Sequence, residues 1–133
     1  MPHEDEIVLF LDEGLHRCRP ILAALESLGV KYERHCDWFG RGTEDRVWLP
    51  VIGEKGWIVL TTDKGIRYNE LEISTVRQYK VREFVFSSGN LSGQKMAEIV
   101  VKAMPKMKKI CRKTNPPFIA SVTEAGNVHV RWQ

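Results

Sequence analysis

The chain has 133 residues, 43% apolar and 28% charged, with a formal net charge of +3. This composition describes one folded domain, residues 1 to 133, and excludes a disordered or collagen-like chain. The longest uncharged apolar run, Ile7 to Leu11, is too short to cross a bilayer, so no membrane partner is expected. His3-Glu4-Asp5-Glu6 is not the start of a signal peptide, and the expected location is the cytoplasm. Cys18, Cys36 and Cys111 are widely spaced with no C-x-x-C pair, which reads as reduced thiols. The charge is uneven: residues 1 to 45 carry ten acids against five Lys/Arg, and residues 46 to 133 carry seven acids against fifteen. An acidic part beside a basic part suits a metal site next to a polyanion-binding surface.

In chain order, Ile7 to Leu11 predicts a strand covered on both faces, ended by Asp12-Glu13-Gly14. Pro20 opens a helix whose Ile21, Leu22, Leu25 and Leu28 recur at helical spacing, and Gly29 stops it. Val30 to Cys36 is a second strand, closed by Asp37, and residues 37 to 42 form a loop with two aromatics and two glycines. Thr43 is the expected N-cap of the next helix, with Glu44 and Asp45 in its first turn. Pro50 lies within that helix. Trp57 to Leu60 is a third strand, followed by Thr61-Thr62-Asp63, and Asn69 caps a helix running to about Gln78. Arg82 to Phe86 is a fourth strand. Met96, Ile99, Val100, Ala103, Met104 and Met107 then form the stripe of the longest helix, which Pro105 is expected to kink or divide. After Asn115-Pro-Pro, Phe118 to Val122 and Val128 to Trp132 flank a turn and predict a hairpin.

Strands alternating with helices imply parallel βαβ units, hence an α/β fold. The expectation is a three-layer α/β/α domain with a central, mainly parallel sheet over about 7 to 113 and a C-terminal β-hairpin over about 116 to 133. Ligand sites in such sheets lie beyond the carboxyl ends of the strands. Asp12 and Asp63 fall there, and the loop begun by Asp37 delivers Glu44 and Asp45 to the same edge. Acids crowded at one edge repel one another unless a cation is present. Oxygen donors with no His or Cys among them select Mg2+ or Mn2+. Asp12, Asp45 and Asp63 are therefore the metal ligands and catalytic candidates, with Glu13 or Glu44 orienting a water. Thr62, Lys64 and Arg67 are placed for substrate phosphates, and the lysine-rich face of the helix ending at Lys113 is a further basic surface. A receiver domain would share acids after strands one and three, but it needs a Lys after the last parallel strand, where Phe86-Ser87-Ser88 offers none.

The stretch FLDEGL, then D-x-F-x-x-GTEDRVWL and GWIVLTTDKGIR, resembles the PIN-like nuclease domains related to VapC-type toxins. The resemblance covers residues 7 to roughly 87, and the PPFIA hairpin resembles the end of a compact subgroup. It implies an α/β/α fold and RNA hydrolysis at acids holding Mg2+ or Mn2+. The family's aspartates fall on Asp12, Asp45 and, in the T-x-D signature, Asp63. The chain lacks the extra helical segment that brings another Glu between the first two strands of typical members, and Glu13 or Glu44 stands as the substitute. The expected function is a metal-dependent ribonuclease, the toxin of a toxin–antitoxin pair. The expected partners are RNA, an antitoxin protein and a second copy in a homodimer. The alternative is a PIN-like module that binds RNA or protein without turnover.

Overall fold

The structure, a computed structural model, describes residues 6–63 and 70–133. The elements in order are β1 (Val8–Leu11), α1 (Arg19–Leu28), β2 (Lys31–Arg34), α2 (His35–Trp38), α3 (Asp45–Lys55) and β3 (Ile58–Thr61). They continue with α4 (Glu70–Gln78), β4 (Arg82–Phe86), α5 (Gly93–Lys113), β5 (Phe118–Val122) and β6 (Val128–Trp132). One six-stranded sheet has the order β2-β1-β3-β4-β5-β6. Its first five strands pair in parallel, and β6 runs antiparallel to β5. The expected α/β/α architecture and the C-terminal hairpin are both present. The hairpin is no appendage, because β5 pairs directly with β4 and extends the sheet.

Alternate residues along the strands feed two cores. Leu9, Leu11, Ile58, Leu60, Phe84, Phe86, Phe118 and Ala120 face α1 and α5. Phe10, Val59, Val85 and Ile119 face Trp48, Leu49 and Ile52 of α3 and Val76 of α4. The central strands are apolar throughout because helices cover both sides. The chain leaves β1 for β2 on one side, then crosses to β3 on the other, so a topological switch point lies between β1 and β3.

Three local expectations need correction. β2 stops at Arg34 rather than Cys36, because His35 to Trp38 turn into a short helix with His35 buried. The N-cap of α3 is Glu44, not Thr43, whose hydroxyl instead donates 2.6 Å to the Gly40 carbonyl. Pro105 does not divide α5, which continues to Lys113. Val101, whose carbonyl loses its intrahelical donor to Pro105, is exposed, so water can serve that carbonyl. The Asn69 cap lies outside the described residues.

Helices α3 and α4 meet at Gly53. A Cβ there would run into the Tyr79 carbonyl oxygen and stand 2.9 Å from Tyr79 Cβ, so only glycine permits this approach. Gly53→Ala is expected to cost about 1–3 kcal/mol of stability by overpacking, read as a lower urea midpoint at unchanged m value.

Candidate active site

Asp12 follows the end of β1, and Asp63 lies just beyond the end of β3, so the two flank the switch point. Thr61, buried at the last position of β3, joins them. Its hydroxyl donates to Asp12 Oδ2, while its oxygen accepts the Asp63 backbone N–H at 2.9 Å. The Gly14 N–H donates to Asp12 Oδ1 at 3.1 Å and closes a tight turn. A Cβ on Gly14 would stand 3.3 Å from Thr62 Oγ1 and 3.4 Å from Asp12 Oδ1, which puts the Thr62 hydroxyl at the same spot. Thr61, rather than Thr62, ties the Asp63 segment down; the Thr62 side chain is exposed.

Asp45 is the first residue of α3, and Glu72 sits in the first turn of α4. Both helices start at the carboxyl edge of the sheet, where their dipoles favour negative charge. Glu72 donates a hydrogen bond to Asp45, which also receives one from the Trp48 indole. Glu83 lies below them on β4, opposite Val59, and is fully buried. Neither of its carboxyl oxygens has a hydrogen-bond partner among the described residues.

These five acids act on one another. Burial pushes the Asp12 carboxyl up to about 6, with the charges of Asp45 and Asp63 adding to the rise. The hydrogen bonds from Thr61 and Gly14 restrain it. Asp45 is raised by burial and by Asp63. Glu72 is raised to about 7 by burial and by the charges of Asp45 and Asp63, so it shares its proton near neutrality. Glu83 is raised well above the usual range by burial and by the other four acids, and stays neutral. A cleft of about 430 Å3 lined by Glu44, Asp45, Arg46, Leu71 and Glu72 opens beside the cluster.

The sequence singled out Asp12, Asp45 and Asp63, and these are coupled to one another here. It did not single out Glu72 or Glu83. Glu72, coupled to Asp45 and Asp63, adds a fourth acid to these three, while Glu44 lines the adjoining cleft and Glu13 meets other partners. Glu13 accepts the Gly42 N–H at 3.0 Å and lies 3.6 Å from His35 Nε2, so it ties the loop before α3 to the end of β1. Glu44 pairs with the Arg46 guanidinium in solvent. Asp37 pairs with Arg34. Lys64 and Arg67 lie outside the described residues. Glu83 had a legible signal: with Val81 and Val85 it forms the alternate positions of a strand, and it is the one acid in an otherwise apolar row.

Among the described residues, no three His, Cys, Asp or Glu side chains are already grouped as a metal-ion site. The donor chemistry nevertheless fits a hard divalent cation: the coupled groups are all carboxylates, and their repulsion is what such an ion relieves.

The α/β/α architecture with acids at the switch point of a parallel sheet is consistent with a nuclease-type fold. Residues 7–88 match the family model described as a PIN-like domain, and the chain belongs to that family. Comparison with curated proteins and with solved structures gave no match. No helix among the described residues is long and apolar enough to cross a membrane.

The raised carboxyls fix a sign for stability against pH. A group whose folded pKa lies above its unfolded value binds protons more tightly when folded, so stability falls as pH rises through that window. For Asp12 and Glu72 the window runs from their ordinary values of 3.8 and 4.5 up to about 6 and 7. The metal-free protein should therefore melt at a higher temperature at pH 5 than at pH 8, and Asp12→Asn with Glu72→Gln should flatten the profile. An equally flat wild-type profile would show that the acids do not meet.

Proposed function

We propose that the protein is a Mg2+- or Mn2+-dependent endoribonuclease with Asp12, Asp45 and Asp63 as its metal-holding residues. The observation that carries this reading is the mutual coupling of three aspartates and Glu72 across the switch point, with oxygen donors alone. A bound divalent ion supplies charge neutralisation for the phosphodiester and a water acidic enough to attack it. The chain's own part is positioning. Thr61 holds Asp12 by its hydroxyl and the Asp63 segment by its oxygen, so one buried side chain sets the spacing of both strand ends. Glu72 keeps a proton on the Asp45 side, which spares the cluster one charge near neutral pH. Glu83, neutral beneath them, leaves the floor of the site without a further charge. In this reading the exposed Thr62 hydroxyl, near Gly14, donates to a substrate oxygen.

The biological role within this reading is the toxin of a toxin–antitoxin pair acting on cytoplasmic RNA, as the resemblance to VapC-type domains implies. A neighbouring gene for a small DNA-binding protein would support that role, and co-purification with its product would test it.

Asp12→Asn and Asp63→Asn should each abolish Mn2+-dependent cleavage of single-stranded RNA while leaving the far-ultraviolet circular dichroism unchanged. Glu72→Gln should lower cleavage by about 10–100-fold, the usual effect of losing a group that orients a metal ligand. Wild-type protein that cleaves no RNA at any Mn2+ concentration, yet still binds it, would make the domain a binding module instead.

A further inference from the structure

The acidic first part of the chain contains five Lys/Arg, namely Arg17, Arg19, Lys31, Arg34 and Arg41. Four of them line two adjoining hollows. A cleft of about 700 Å3 lies across the carboxyl ends of β1 and β2, lined by Glu13, His16, Arg17, His35, Phe39 and Arg41, among others. A smaller hollow of about 300 Å3 is formed by Arg17, Arg19, Leu22 and Arg34. Arg17 is common to both, so the two form one path that starts at Glu13, next to Asp12, and leads toward the β2 edge.

The path is electropositive and carries unused donors. Arg17, Arg19 and Arg41 make no ion pair among the described residues, while Arg34 is held by Asp37. Glu13, the one acid in the lining, is engaged by the Gly42 N–H. His16 Nδ1 accepts the Cys36 N–H at 3.2 Å, so the ring of a neutral His16 carries its hydrogen on Nε2. Burial first, then the nearby Arg17, His35 and Arg34, lower the His16 pKa against an opposing pull from Glu13, which favours a neutral ring. His35 is 1% exposed, and neither of its ring nitrogens has a hydrogen-bond partner among the described residues. Clustered arginines beside a nuclease-type site, with free N–H groups and little compensating acid, match the chemistry of consecutive phosphates. Arginines in a cleft of this volume suit the flexible backbone of a single strand.

We propose that these two hollows form one track for the sugar–phosphate backbone of single-stranded nucleic acid. Arg17 and Arg41 hold the phosphate next to the acids, and Arg19 and Arg34 hold the one beyond. The proposal rests on the nuclease reading, because it assigns the path of that enzyme's substrate strand.

The test measures binding of the full chain to a fluorescein-labelled 12-nucleotide oligouridine by anisotropy. EDTA prevents cleavage, and salt is varied from 50 to 200 mM. Arg17→Gln/Arg19→Gln/Arg41→Gln should weaken binding at least tenfold at the lowest salt. It should also reduce the slope of log K against log salt by about 0.7 to 1.4, since one phosphate loses both its arginines and the next loses one of two, at about 0.7 for each phosphate contact. Lys31→Gln/Lys80→Gln, exposed at the start of β2 and just before β4 and outside both hollows, should stay within twofold of wild type. An arginine variant that melts like wild type and binds like it overturns the track, as does an equal loss in the lysine variant. Cleavage in Mn2+ is scored separately. Arginine-dependent binding without cleavage keeps the track and removes the nuclease, whereas cleavage at unchanged KM in the arginine variant removes the track and keeps the nuclease.

Discussion

Electrostatic repulsion among carboxylates crowded at one edge of the sheet is the constraint to which the rest of this structure answers. Asp12, Asp45, Asp63, Glu72 and Glu83 come from five separate parts of the chain, and each that is raised owes the rise first to burial, with its fellow acids adding to it. The fold bears this by several local devices. The dipoles of α3 and α4 meet Asp45 and Glu72 at their starts. Thr61 and Gly14 donate to Asp12. Glu72 and Glu83 keep protons that unpartnered exposed carboxyls would release. In the proposed reading, a hard divalent cation would relieve this repulsion.

The loop before α3 is the second element of this organisation. Glu13 reaches across to the Gly42 N–H and lies beside the buried His35, so the turn after β1 and the segment leading to Asp45 are fastened together. Phe10 packs against Phe39, Trp48 and His35 beneath that fastening. The same loop contributes Arg41 to the cleft next to the acids. Glu13 thereby separates two regions of opposite sign, the carboxylates on the β1–β3 side and the arginines on the β2 side.

Much of this was legible in the residues. The strand Arg82 to Phe86 and both strands of the hairpin are bounded by breakers, and their limits agree with the structure. Asp12 and Asp63 could be found because each terminates an apolar strand, a local pattern that fixes the edge on which they stand. Glu72 could not be distinguished from an acid serving the helix dipole, since its role depends on how α4 leans on α3 at Gly53. The boundary at Arg34 and the cap at Glu44 also went against local propensity, because burial of His35 and the Gly40–Thr43 contact decide them. The charge count by halves did not reveal the arginines that line the two hollows, because a sum along the chain does not record which side chains share a groove.

The sequence by itself determined the parallel α/β architecture and the edge where the first three acids stand. Hydrophobic period and strand-ending residues are local properties, and right-handed crossovers leave few ways to combine them. Only the tertiary structure decided which acids couple, that Thr61 bridges Asp12 and the Asp63 segment, and that Glu13 and Glu44 turn to other partners. It also decided that four arginines scattered over the acidic part line one path. Those outcomes depend on distances between segments far apart in the chain, set by strand order and by the close contact of α3 with α4.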